Sequence, residues 1–137
     1  RWIDQGATQA VRLAEVPYRQ LAGLIEVSLK AHISDKTAWQ KMLKGIVDNP
    51  KTILEVKNEM ADLVPDELKA YLIDNEEITE IEYPVSIYPE KVKSLKLDKE
   101  KVIEKKLAGI KGQYLIFDDG SVLNVRSHSG YRVKLEV

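Results

Sequence analysis

No cysteine occurs among the 137 residues, which excludes disulfides and thiolate metal sites within them. No apolar run approaches the roughly 20 residues that a helix needs to cross a bilayer, so no transmembrane helix and no membrane partner are expected. The two histidines, His32 and His128, are too few and too far apart in sequence to argue a metal cluster. No glycine-rich phosphate loop precedes a helix and no serine stands in a recognisable nucleophile setting, which removes the ordinary nucleotide-binding and hydrolase readings. Methionine does not open the chain. Arg1-Trp2 does, with no basic-then-apolar leader behind it, and the sequence reads as a fragment of something longer. What is present suits a folded protein: 44% apolar residues exclude disorder even with 31% charged.

The net charge of −1 is segregated along the chain. Residues 1–54 hold eight Lys and Arg against five acids (+3), residues 55–82 two against ten (−8), and residues 83–137 eleven against seven (+4). Two basic modules joined by an acidic one can offer basic faces to nucleic acid. A solvated Lys- and Glu-rich surface of the heat-adapted kind accounts for the same numbers.

The stretch from Pro17 to Ile33 organises the first half. Leu21, Ala22, Ile25, Leu29 and Ile33 fall on one face of a helix over residues 18–33. Glu26 lies at the border of that stripe, either as a surface acid paired with Lys30 or as a metal ligand. His32 falls on the inner face, where a satisfied core histidine is expected. Before the helix, residues 1–5 read as a helix end closed by Gly6, and Thr8 to Val16 as a short strand. After it, Ser34-Asp35-Lys36-Thr37 is a polar break. Thr37-Ala38-Trp39-Gln40 has the form of a capping box opening a short helix with Trp39, Met42 and Leu43, which Gly45 stops. Asn49-Pro50 marks a turn, followed by an amphipathic helix over 51–63 and another opened by Pro65-Asp66-Glu67. This acidic pair reads as a connector or lid. Asp62, Asp66 and Glu67 stand where helix ends and first turns already favour acids.

From residue 77 the period changes to two. Strands are expected over 78–87 (broken at Pro84), 92–97, 102–110, 114–117, 121–125 and 131–137. Lys111-Gly112 and Asp118-Asp119-Gly120 supply tight turns. Short strands at this spacing suit a small SH3-like barrel, whose loops are left to bind. One loop stands out. Arg126-Ser127-His128-Ser129-Gly130-Tyr131-Arg132 gathers two guanidiniums, an imidazole, hydroxyls and an aromatic ring within seven residues. Arginine binds phosphate by charge and forked hydrogen bonds, and tyrosine stacks on unpaired bases. Lys105, Lys106 and Lys111 on neighbouring strands would extend the patch. The alternative is a polar loop whose Tyr131 packs on the barrel.

Five segments carry a resemblance over nearly the whole chain except the acidic helices: Arg1 to Ala7, Ala22 to Val27, Ser34 to Lys44, Gly109 to Phe117, and His128-Ser129-Gly130-Tyr131. On these the sequence resembles a prokaryotic domain-of-unknown-function family, number 2797, common in archaea. That resemblance implies longer members with an additional N-terminal part whose cysteines look zinc-binding. The N-terminal part also resembles the GIY-YIG nuclease superfamily, in which a helix with a functional arginine is followed by a strand and a helix with a metal-binding glutamate. Arg1, residues 10–16 and Glu26 occupy those places. The resemblance implies a magnesium ion held by Glu26 with several waters, Arg1 steadying charge on phosphate, and a tyrosine-bearing hairpin ahead of Arg1. Such a site is complete only in a longer chain.

The expected protein is α+β: a GIY-YIG-like partial module at 1–48, an acidic helical connector at 49–76 and a small barrel at 77–137. The expected function is nucleic-acid binding, RNA more than DNA, in the cytoplasm of an archaeon or bacterium, with no cofactor in this fragment. A metal-dependent nuclease using Arg1, Glu26 and magnesium is the second reading. A protein-interaction module, ribosome-associated and docking through the barrel and the Trp39 helix, is the third.

Overall fold

The computed structural model describes residues 1–34 and 36–137; Asp35, in the polar break, lies outside the described residues. In chain order the elements are β1 (Gln9–Val11), α1 (Arg19–Leu29), α2 (Trp39–Leu43), α3 (Ile53–Leu63), β2 (Ile78–Glu80), β3 (Lys93–Leu95), β4 (Leu107–Lys111), β5 (Tyr114–Phe117) and β6 (Ser121–Asn124). Two 3-10 helices, Asp66–Tyr71 and Val125–His128, complete the set. The protein is α+β. Its contacts divide it into two units interleaved in sequence: Arg1–Ala7 with Ala38–Val47 and Glu82–Val137, and Thr8–Thr37 with Asp48–Ile81. Charge follows this division. The first unit holds fourteen Lys and Arg against nine acids (+5), the second seven against thirteen (−6).

In the acidic unit, α1 buries Ile25 and Leu29 against Val64 and Leu68, with Leu21, Met60 and Tyr71 closing the cluster. The helix ends four residues sooner than its apolar period. The amides of His32 and Ile33 both turn back to the carbonyl of Leu29, at 2.9 and 3.1 Å. The core contact ends with that turn, so His32 is exposed rather than an inner-face histidine, and Ile33 is exposed with it. The capping box belongs to α3 instead of α2: the Thr52 hydroxyl accepts from the Glu55 amide while the Glu55 carboxylate reaches back to the Thr52 amide. Ala38 caps α2 with no side-chain bond, because alanine has none to offer. A short antiparallel ribbon, β1 with β2 in register Ala10↔Thr79, continues as an Ala14↔Leu72 bridge. Lys57 of α3 is buried and donates Nζ to the carbonyls of Ile73 (3.0 Å) and Asn75.

In the basic unit, four strands form a sheet in the order β3-β6-β5-β4. It is an open sheet, not the closed barrel the strand spacing suggests. β4, β5 and β6 are successive antiparallel hairpins, the second turning at Asp118-Asp119-Gly120 as expected, whereas β3 joins β6 in parallel. Residues 131–137, an alternating segment expected to be a strand, pair with no strand among the described residues, and Val133 and Leu135 stand 67% and 84% exposed. The strand expected over 102–110 begins only at Leu107. Leu43 of α2, Ile116 and Val122 are fully buried, and the Trp39 ring stacks on Tyr114 with centroids 6.0 Å apart. Residues 83–86 cover the outer side of β4, with the Ser86 amide on the Ala108 carbonyl and the Ile110 amide on that of Pro84. Gly109 permits this: a Cβ there would lie 2.7 Å from the Val85 Cα. A sheet edge is thereby protected.

Candidate functional site

Parallel pairing of β3 with β6 decides which loops share a surface. Two parallel strands leave a sheet at the same end, so the chain beyond Leu95 and the chain beyond Asn124 emerge side by side. Two contacts tie them. The Leu97 amide donates to His128 Nε2 at 3.1 Å, and the Tyr131 hydroxyl donates to Asp98.

The loop is organised from within. Asn124 caps the 3-10 helix by accepting from the Ser127 amide (3.3 Å), and its carbonyl receives Ser127 Oγ and His128 Nδ1, both at 2.8 Å. An imidazole that accepts at Nε2 and donates at Nδ1 is a neutral tautomer with both nitrogens in use. His128 therefore positions the loop. The Tyr131 ring meets His128 edge-on, with centroids 5.4 Å apart. Its hydroxyl is held above the usual tyrosine range by the bond to Asp98, with burial and the Asp98 charge adding to it. Arg126 and Arg132 flank these anchors. Both are exposed, and neither has an ion pair among the described residues.

The three lysines expected to extend this patch go elsewhere. Lys105 pairs with Asp119 at 2.5 Å, and the Lys106 carbonyl accepts from the Asp118 amide, which places both at the turn end of the β5–β6 hairpin, away from the 126–132 loop at its open end. The bond to Asp119 raises the Lys105 ammonium above its ordinary value, its burial opposing. Lys111 is only 3% exposed. Its Nζ donates to the Met42 carbonyl (3.0 Å) and lies 4.8 and 5.7 Å from the ring centroids of Tyr88 and Tyr83. A cation caged by two rings is a structural lysine, not a surface contact. Tyr83 itself lies between the carbonyls of Ile3 (3.1 Å) and Ala7 (2.8 Å), and burial, then the charge of Asp4, pushes its hydroxyl up.

A family model described as a protein of unknown function (DUF2797) matches residues 1–133. The chain belongs to the DUF2797 family. No curated protein and no solved structure matches it. The DUF2797 match spans both units, and the family's description assigns no chemistry to either.

The other candidate residues of this DUF2797 chain are Glu26 and Arg1, one in each unit. Glu26 is exposed on α1, in the acidic unit, and forms no ion pair with Lys30. Arg1 belongs to the basic unit, where its carbonyl accepts from the Gln5 amide in the turn that Gly6 closes. No group of three His, Asp or Glu side chains able to hold a metal occurs among the described residues, and no described helix is long and apolar enough to cross a membrane. The shallow groove between residues 83–86 and β4 is lined mostly by apolar side chains and supplies no convergent charge. Lys96 and Lys99 stand next to the two tie points, within the run Lys91, Lys93, Lys96, Lys99 and Lys101, five lysines in eleven residues.

Proposed function

We propose that this protein binds nucleic acid, RNA in preference to duplex DNA, at the end of the sheet where residues 126–132 emerge. The observation that carries the reading is the pair Arg126 and Arg132: exposed, without ion pairs among the described residues, on a loop whose His128 and Tyr131 are engaged internally. Guanidinium forks match phosphate oxygens, and a loop already held in place loses little freedom on binding. The +5 charge of the unit supports backbone contact. The half-exposed Tyr131 ring favours RNA, whose unpaired bases stack on aromatic side chains.

The test is binding of the 137-residue chain to labelled single-stranded RNA, structured RNA and duplex DNA across a salt series. RNA binding weakens steeply with salt, and Arg126→Ala and Arg132→Ala each lower the slope of log affinity against log salt by about 0.7. Absence of RNA binding at about 50 mM salt refutes the reading. Magnesium-dependent cleavage in the same samples, abolished by Glu26→Ala, would replace it with the phosphodiesterase reading. A protein partner recovered in place of RNA would replace it with the interaction-module reading.

A further inference from the structure

From the side-by-side exit of β3 and β6, we infer that Lys96 and Lys99 form the second wall of the phosphate-binding surface, so that a single-stranded RNA backbone crosses the sheet end between them and the two arginines. The inference rests on the nucleic-acid reading above and adds residues and a path to it. Lys96 directly precedes Leu97, whose amide is bonded to His128. Lys99 directly follows Asp98, which is bonded to Tyr131. Lys96 and Lys99 are themselves held across one turn, since the amides of Lys99 and Glu100 both donate to the Lys96 carbonyl at 3.0 Å. Both side chains are exposed, and neither has an ion pair among the described residues. Of the acids on this turn, Asp98 already accepts the Tyr131 hydroxyl. Each tie point therefore carries a lysine on the β3 side and an arginine within two residues on the β6 side.

The sheet provides its own control. Lys91 and Lys106 lie at the opposite end, by the 118–120 turn: the Lys91 carbonyl abuts Gly120, and the Lys106 carbonyl accepts from Asp118. Lys96→Gln/Lys99→Gln and Lys91→Gln/Lys106→Gln remove the same net charge from the two ends. Four phosphate contacts on a single strand predict that wild-type affinity falls about 50-fold between about 50 and 200 mM salt, and two contacts about 7-fold. The expected result is a fall of about 7-fold for the Lys96/Lys99 pair, and the wild-type fall for the Lys91/Lys106 pair, both melting as wild type. A wild-type salt response in the Lys96/Lys99 variant overturns the inference while leaving the nucleic-acid reading intact. Equal reductions in both variants also overturn it, because net charge alone then governs binding. Absence of RNA binding by the wild type overturns the reading itself.

Discussion

Replacing Lys111 with methionine separates stability from binding. The substitution keeps an unbranched stem of similar length and removes only the ammonium. Two contributions are lost. The charge-assisted bond to the Met42 carbonyl at 3.0 Å is worth about 1.5–3 kcal/mol. Two ring faces, the nearer at 4.8 Å, add roughly 1–2 kcal/mol at a site shielded from water. The Met42 carbonyl is not bared, because it keeps the Gly45 amide at 3.1 Å. Against the two losses stands relief from desolvating an ammonium, several kcal/mol in the opposite direction. The balance favours a destabilisation of about 1 kcal/mol, within the ordinary span of single substitutions. With an unfolding entropy of roughly 2.1 cal/mol/K per residue over 137 residues, that lowers Tm by about 3.5 °C. Thermal melts of Lys111→Met and Arg126→Ala, each followed by RNA titration below the melt, give the comparison. Lys111→Met melts early and binds as wild type, and Arg126→Ala melts as wild type and binds weakly. A Lys111→Met protein with unchanged Tm and weakened RNA binding would show that Lys111 is no structural lysine and return it to the ligand surface.

Gly112 has φ +57°, and an added Cβ would run into the Asp4 carbonyl, which accepts the Gln113 amide. Gly112→Ala therefore costs about 2–3 kcal/mol, from the left-handed backbone and the displaced bond together. Gly130→Ala, at φ +88° with open space around it, costs about 1 kcal/mol; urea midpoints that fail to rank the two in this order contradict the account. Asp119 makes stability depend on pH. Its carboxyl is held well below the usual carboxylate range, first by Lys105, then by the Ser121 hydroxyl and amide. Its contribution is present above the unfolded value near about 3.9 and is lost as pH falls through the lower folded value. Lys105, raised by the same bond, contributes below about pH 10.4 and loses that contribution as pH rises through its higher folded value. Asp119→Asn should flatten both limbs of a plot of Tm against pH, and parallel curves for the two proteins would count against it.

Local signals were legible where the chain solves a local problem. Gly6 and Gly45 close their turns at φ +77° and +70°, and Asp118-Asp119-Gly120 makes the hairpin between β5 and β6. The helix over 53–63 follows its apolar period. Periodicity was silent on long-range choices. Nothing in Val92 to Leu97 announces parallel pairing with Ser121 to Asn124, and nothing near Leu43 announces burial beside Ile116. Alternation also misled: Tyr131, Val133, Leu135 and Val137 have the period of a strand, but residues 131–137 pair with none of the described strands. Lys57 and Lys111 were unreadable for another reason. A lysine's long apolar stem lets its charge reach inward to carbonyls and rings as readily as outward to water.

The same limit explains why the candidate surface was half visible. A loop with two arginines within seven residues is a local feature and stands out in the sequence. Its lysine wall lies about 30 residues earlier and becomes adjacent only through the β3–β6 pairing. Lys105 and Lys106, about 20 residues before the loop, sit at the far end of a hairpin whose strands are four residues long. At roughly 3.3 Å per residue that separates them from the loop by about 13 Å, more than the Debye length near 0.1 M salt. Charges at the turn end are thus screened from a ligand on the loop, while Lys96 and Lys99, beside the tie points, are not. Within the basic unit, strand direction rather than distance along the chain decides which cations act together.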